Sequence, residues 1–215
     1  MMADDLAAHA LNCNDDTPEY RPHGPDGHVM KLAFFSRRSR RAATIEALYG
    51  AIVAQARTPV FYLEYGVPDT VNGRFEMILM HAGLLLDRLS GEAAEIRAIG
   101  QGVFDRFCQD MDDTMRERGV SDVKVPKEMK RVAAAFYGRQ AAYRTALDGG
   151  GETALDEALR RNLYAGAADT GACVKRMARY MRVLVEELRL QGAADLAEGR
   201  LAWPDPAIIS SESLR

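Results

Sequence analysis

Apolar positions recur with a helical period along most of this 215-residue chain. Between residues 39 and 57, Leu48, Ile52 and Val53 follow Ile45 by three, seven and eight positions, which places all four on one helix face. The same period continues in four further segments, 92–118, 125–147, 153–164 and 171–190. Alternating apolar and polar residues, the pattern of a strand, are confined to short pieces. The pattern predicts an all-α fold with a single multi-helix domain.

The highest density of aromatic and apolar residues lies between Tyr49 and Leu89. Proline is favoured at the first position of a helix, so Pro59 predicts the start of a short helix that stops at Gly66. That helix carries three aromatic side chains, Phe61, Tyr62 and Tyr65. A run without formal charge at 77–86 then predicts a long apolar helix that ends at Gly91.

This stretch is suited either to filling a core or to holding a partner. Tyrosine anchors many recognition surfaces because it combines apolar area with a hydroxyl, and methionine adapts to apolar partners. We expect at least two of the three aromatic side chains to lie in the core. Asp69 or Thr70 is expected to cap the long helix, and Arg74 to form an ion pair or hydrogen bond. The candidate partner-binding residues are Phe61, Tyr62, Tyr65, Arg74, Met77, Met80 and His81.

Residues suited to catalysis or metal binding are sparse. Three of the four histidines lie within the first 29 residues, so His81 is the one histidine of the predicted helical domain. A hydrogen-bonded histidine in a core or groove is favoured there over a buried ligand or a proton carrier. The three cysteines lack C-x-x-C spacing, and Glu-x-x-His pairs, nucleophile motifs and phosphate loops are absent from the sequence. We expect a protein that is not an enzyme and uses no metal or cofactor.

The net charge of −3 is unevenly distributed. The first 29 residues carry six acidic side chains and one arginine, and the rest of the chain is mildly basic. That excess of positive charge is too small to predict a DNA partner. One side of the last long helix groups four cations, Lys175, Arg176, Arg179 and Arg182. A solvated helix face is the simplest interpretation, and the alternatives are contact with anionic lipid headgroups or ribosomal RNA.

The chain is divided into three parts by composition. Residues 1–29 are polar and without periodicity, which predicts a disordered tail, and Met30 is an alternative start. The helical domain is assigned to 30–200, followed by a C-terminal extension at 201–215. Prolines in that extension predict an irregular segment, with Trp203 docked on the domain and frayed residues after 207. No apolar run is long enough to predict a transmembrane helix, and no targeting segment is convincing.

Six short segments occur in an order that is typical of one protein family. They lie at 49–62, 66–70, 73–76, 110–112, 119–122 and 135–139, and include the sequences GVPDT and AFYGR. Over residues 41–164 the chain resembles the ubiquinol–cytochrome c chaperone family, whose members are assembly factors for the cytochrome bc complex.

The resemblance implies a helical, non-catalytic protein that binds newly made cytochrome b and protects it until assembly. It also implies a location on the side of the membrane where cytochrome b is made, which is the cytoplasm for a bacterial member. The basic side chains of the last long helix are suited to peripheral contact with the inner face of the cytoplasmic membrane. Mitochondrial members work with a small partner protein and associate with the ribosome. This chain looks more like a bacterial member, and the resemblance does not decide whether it has either partner. The alternative function is a helical RNA- or ribosome-binding module without client-holding activity.

Overall fold

The structure, a computed structural model, describes residues 26–149, 151–165 and 170–212. Side chains are described from Arg38 onward, within the unit Arg38–Arg215. The described residues form nine helices and no strand, which confirms the all-α prediction. The helices are α1 (Asp26–Ala56), α2 (Pro59–Leu63), α3 (Val71–Ser90), α4 (Ala94–Glu117), α5 (Val125–Leu147), α6 (Gly151–Asn162), α7 (Gly171–Leu190), α8 (Ala193–Ala197) and α9 (Pro206–Glu212).

Helix α3 is the central helix of the bundle. It packs against α4, α5 and α7, and every residue from 76 to 85 is buried. A helix that is apolar all round has no face suited to water, so it is stable only when other helices surround it. Glu76 and His81 are the polar exceptions in this buried stretch. The charge-free run in the sequence therefore forms the core of the fold.

Several helix ends are set by the residues that the sequence places there. Thr70 caps α3, because its Oγ1 accepts a hydrogen bond from the Gly73 N–H at 3.1 Å. Gly66 (φ 64°) and Gly119 (φ 80°) adopt left-handed backbone just after α2 and α4. Pro59 begins α2 as predicted, although the Thr58 side chain makes no capping hydrogen bond.

The start of α1 differs from the predicted boundary. The helix begins at Asp26, whereas the apolar repeat indicated a start near residue 39. Residues 36–41 are mainly basic and add little to an apolar stripe, yet their four arginines have high helix propensity. Residues 1–25 lie outside the described residues, so a disordered tail stays a prediction for them.

The C-terminal extension also differs, because the segment expected to be irregular contains α9. Proline cannot continue a helix, but Pro206 stands at the first helical position, where a missing N–H does no harm. Asp205 Oδ1 accepts a hydrogen bond from the Ala207 N–H at 2.8 Å and caps the helix. Ile209 is buried, so fraying after 207 was a wrong expectation. The docking predicted for Trp203 is confirmed by a 3.1 Å hydrogen bond from its Nε1 to Ala51 O.

Two polar pairs join long helices. The Tyr49 hydroxyl donates to Asp110 Oδ2 at 2.7 Å and links α1 to α4. Arg139 donates from Nε and Nη2 to the two Glu76 oxygens, each at 2.5 Å, and links α5 to α3. Burial raises the pKa of Glu76, while the Arg139 hydrogen bond acts in the opposite direction. All four residues belong to the segments that carry the family resemblance, so part of that resemblance reflects contacts between helices.

Candidate functional site

The seven candidate partner-binding residues fall into a buried and an exposed group. Five of them are buried: Phe61, Tyr65, Met77, Met80 and His81. Tyr62 is half-buried and Arg74 is exposed. Two of the three aromatic side chains therefore lie in the core, as expected. The five buried side chains cannot contact a partner in this conformation, because residues 76–85 of α3 are covered by other helices and the Phe61 and Tyr65 rings face the core.

Four rings form a cluster that we call the aromatic floor, consisting of Phe61 of α2, Tyr65 just after α2, His81 of α3 and Tyr180 of α7. The centroid of the Phe61 ring lies 5.3 Å from Tyr65, 5.6 Å from His81 and 4.9 Å from Tyr180. The rings meet edge-on or tilted, which is a favourable arrangement for aromatic side chains. Sequence reasoning missed Tyr180, and its one signal was its position three residues after Met177 on the apolar stripe of α7.

His81 is held by hydrogen bonds at both ring nitrogens. Its Nδ1 lies 2.8 Å from Met77 O and its Nε2 lies 2.9 Å from the Tyr180 hydroxyl. Because a carbonyl oxygen only accepts, Nδ1 carries the proton and Nε2 accepts from Tyr180. Gln55 Nε2 in turn donates to the Tyr180 hydroxyl at 3.0 Å. Burial lowers the pKa of His81 to about 4, so this residue is the neutral, hydrogen-bonded core histidine favoured by the sequence.

Residues 201–210, which we call the C-terminal strap, pack against the aromatic floor. The Trp203 ring meets the His81 ring at 88°, with 5.3 Å between their centroids. The Tyr65 hydroxyl donates to Pro206 O at 2.8 Å. Helix α9, at the end of the strap, packs against α2 and α7, the helices that supply the Phe61 and Tyr180 rings of the floor. The strap thus contributes to the burial of the floor.

Three exposed apolar side chains, which we call the apolar rim, lie on α2, on α3 and on the helix at the end of the strap. Leu63 (81% exposed) ends α2, Val71 (60%) begins α3, and Ile208 (58%) lies on α9, which contacts α2. They are half of the six large apolar side chains that are exposed among the described residues. Exposed apolar groups that gather on neighbouring elements are typical of interaction sites.

A charged pair lies in the same α2–α3 region. Arg74 Nε donates to Asp69 Oδ1 at 2.7 Å, which confirms the ion pair expected for Arg74. This hydrogen bond lowers the pKa of Asp69 below its ordinary value. The Arg74 guanidinium lies 5.7 Å from the centroid of the Tyr62 ring, and the Tyr62 hydroxyl donates to Ala56 O at 2.6 Å. The region therefore offers apolar, aromatic and cationic groups together.

The four cations of α7 do not form a uniform surface. Lys175 and Arg182 are exposed, whereas Arg176 and Arg179 are half-buried. Arg176 donates from Nη1 to the Glu64 carbonyl after α2, and its guanidinium lies 6.0 Å from the centroid of the Tyr65 ring. Arg176 therefore helps to hold α2 against α7, and the exposed charge is smaller than the sequence suggested.

Among the described residues, no group of three or more His, Cys, Asp or Glu side chains is arranged to hold a metal ion. The same part of the chain contains no helix with the length and apolar character needed to cross a membrane. Its two cysteines, Cys108 and Cys173, are half-buried and form no disulfide. We take the apolar rim and the aromatic floor as the candidate site, because α2 and α3 contribute side chains to both.

A model of the ubiquinol-cytochrome C chaperone family matches residues 63–203 of the chain. The chain belongs to this family. It is also similar to a solved protein described as the Cbp3 homolog from Brucella abortus, with 37% sequence identity and a TM-score of 0.75. That match covers 83% of this chain and 98% of the other. No curated protein matches.

The region that the family model matches differs from the region in which the sequence resembled the family. The resemblance in the sequence covered residues 41–164, whereas the family model begins at Leu63, after the first recognised segment, and continues through α7 to Trp203. The stripe of α7 is typical of amphipathic helices in general, so it gave no family signal on its own. The match includes His81, Tyr180 and Trp203, which meet in and above the aromatic floor.

Proposed function

We propose that this protein is a non-enzymatic assembly chaperone for the ubiquinol–cytochrome c reductase (bc) complex and that its client is newly made cytochrome b. The observation that carries the proposal is the family match over residues 63–203. The 37% identity to the Cbp3 homolog supports it. The client assignment goes beyond the family name and comes from what the family resemblance implies.

The apolar rim supports a holding role for physical reasons. A membrane protein that has not yet been assembled exposes apolar helices, and a holder needs exposed apolar surface to cover them. Leu63, Val71 and Ile208 offer such surface, and Tyr62 and Arg74 border it. We propose that these five residues contact the client first.

In-cell photo-crosslinking tests this assignment. A photoreactive phenylalanine analogue replaces Leu63 in one variant, and Val123 in a control. Val123 is matched in exposure, at 90%, and lies between α4 and α5, outside the rim. Cytochrome b is expected among the products from Leu63 and not among those from Val123. Capture of the same proteins from both positions, or no cytochrome b from Leu63, would contradict client binding at the rim.

A deletion strain tests the cellular role independently of any site. Loss of the protein is expected to lower cytochrome b and the activity of the bc complex while the other respiratory complexes persist. Unchanged cytochrome b in that strain would overturn the proposed function.

We further propose that Lys175 and Arg182 contact anionic lipid headgroups and keep the protein near the inner face of the membrane. Clustered cations bind anionic surfaces through electrostatic attraction that salt weakens. The protein is expected to sediment with phosphatidylglycerol vesicles at low salt, and a variant with Lys175→Glu and Arg182→Glu is expected to bind less. Binding to purified ribosomes in place of vesicles would favour the ribosome-binding alternative.

A further inference from the structure

We propose that the C-terminal strap is a displaceable cover and that an apolar helical segment of the client takes its place on the aromatic floor. This inference rests on the proposed function. It gives Phe61, Tyr65 and His81 a role in client binding that their burial excludes while the strap is in place. The apolar rim would then be the first contact, and the floor the site that opens.

The strap is attached through apolar side chains and through hydrogen bonds in both directions. The Trp203 Nε1–H donates to Ala51 O, and Ala202 exchanges two hydrogen bonds with the Gln191 side chain. Gln55 Nε2 donates to Pro204 O at 3.1 Å, and the Tyr65 hydroxyl donates to Pro206 O at 2.8 Å. Both strap residues are prolines, which have no backbone N–H to donate in return. When the strap leaves, water reaches Gln55 and Tyr65, so displacement leaves neither of them buried without a partner.

The floor keeps its internal hydrogen bonds without the strap. His81 bonds to Met77 O on its own helix and to the Tyr180 hydroxyl of α7, and Gln55 of α1 bonds to the same hydroxyl. None of these partners belongs to the strap. Displacement therefore uncovers a preformed set of rings. The hydroxyls of Tyr65 and Tyr180 allow this surface to face either water or an apolar partner.

The strap itself indicates the chemistry of the segment that replaces it. It presents the aromatic ring of Trp203 and, six residues later, the buried aliphatic side chain of Ile209 from a short helix. Helices of membrane proteins carry aliphatic residues along their length and aromatic residues near their ends. Such a helix offers the same groups to the floor. Leu63 extends the apolar surface past the covered region, so a longer segment gains contacts that the strap lacks.

The full chain carries its own reporter of strap opening, because Trp203 is the single tryptophan. The probe is a synthetic peptide of leucine and alanine with one central phenylalanine and terminal lysines, which contains no tryptophan. Acrylamide quenching of Trp203 is expected to increase when this peptide is added. In hydrogen exchange without peptide, the amides of α9 are expected to exchange at least about ten-fold faster than those of α3 and α7, as for a unit that opens locally.

Two variants on the same short helix sharpen the test. Ile209→Ser removes a buried strap contact and is expected to strengthen peptide binding about ten-fold, because it shifts the population toward the open strap. Ala207→Ser changes an exposed residue of α9 and is expected to bind like the wild type. Exchange of the α3 amides checks that the bundle of each variant is still folded.

Equal exchange rates in α9 and α3 would overturn the inference, because the strap would then open only when the whole bundle unfolds. Equal peptide affinity of the wild type and Ile209→Ser would overturn it as well. Neither measurement involves cytochrome b. A strap that opens while Leu63 captures no cytochrome b would instead overturn the assigned client, so the two failures are distinguishable.

Discussion

Two aromatic clusters of this bundle use the same kind of side chain in different ways. The aromatic floor joins α2, α3 and α7. Three of its four rings carry a hydroxyl or imidazole group, which bonds to another ring or to the strap. The second, which we call the phenylalanine cluster, joins α3, α4 and α5 and consists of Phe75, Phe104, Phe107, Phe136 and Tyr137. Phe107 and Phe136 are fully buried, whereas Tyr137 is exposed.

The difference lies in what covers the rings and in how their polar groups are satisfied. The buried rings of the phenylalanine cluster, Phe107 and Phe136, are covered by three long helices, so they become accessible only if the bundle comes apart. The floor is closed partly by a ten-residue strap, and its hydrogen bonds among His81, Tyr180 and Gln55 do not depend on that strap. A high density of aromatic residues therefore does not by itself indicate a binding site. The floor differs in that its cover, the strap, can leave while the bundle stays folded, and in that its polar groups keep hydrogen-bond partners when it does.

The largest expected effect on stability comes from removing a buried ring of the phenylalanine cluster. Phe107→Ala is expected to lower the free energy of unfolding by about 4 kcal/mol, because it leaves a cavity among Phe75, Phe104 and Phe136. Trp203→Ala removes a larger but partly exposed ring and is expected to cost about 2 kcal/mol, since less buried area is lost. Urea unfolding followed by circular dichroism measures both. Equal costs would remove the distinction between the closed cluster and the strap.

The ion pair beside the phenylalanine cluster gives the next effect. Arg139→Met is expected to cost about 3 kcal/mol, because it leaves the Glu76 carboxylate buried without its partner. Adding Glu76→Leu to that variant is expected to restore most of the stability, since no buried charge is then left. Arg116→Met, which breaks an exposed pair on α4, serves as the control with no measurable change. A double variant as unstable as Arg139→Met alone would contradict this account.

Local features of the sequence predicted most of the helices and the central position of the apolar run. Periodicity and turn residues act over a few positions, so a helix end at Gly66 and a helix cap at Asp69 or Thr70 could be expected in advance. The C-terminal prolines were interpreted only as helix breakers, and their position next to a capping aspartate was missed.

The candidate site was harder to predict because its contacts join distant parts of the chain. His81 and Tyr180 are 99 positions apart, and Tyr65 and Pro206 are 141 positions apart. Helical periodicity indicates which face of a helix is apolar but not which helix covers it. The sequence therefore identified His81 and Tyr65 as candidates without indicating that α7 and the strap bury them.

The floor also differs from the phenylalanine cluster in containing an ionisable ring, that of His81. His81 has a pKa of about 4 in the folded protein and an ordinary value of 6.5. Below pH 6.5 His81 binds a proton in the unfolded chain but stays neutral in the folded protein, so the free energy of unfolding falls as the pH falls. Between pH 7.5 and 5 this residue is expected to remove about 2 kcal/mol from the free energy of unfolding. Urea titrations across that range, with His81→Gln as the comparison, measure it. A variant with the same pH slope as the wild type would show that His81 is not the cause.

The smallest expected effect on stability comes from the exposed pair beside the rim. Arg74→Gln is expected to leave the free energy of unfolding unchanged within error, because Arg74 and Asp69 both face solvent. The residue is expected to affect the client instead, since its guanidinium borders the Tyr62 ring in the α2–α3 region. Photo-crosslinking from Leu63 measures this, with Arg116→Gln on α4 as a matched surface control. Reduced capture of cytochrome b in Arg74→Gln alone would place the first contact at the rim, whereas equal capture in both variants would exclude Arg74 from it.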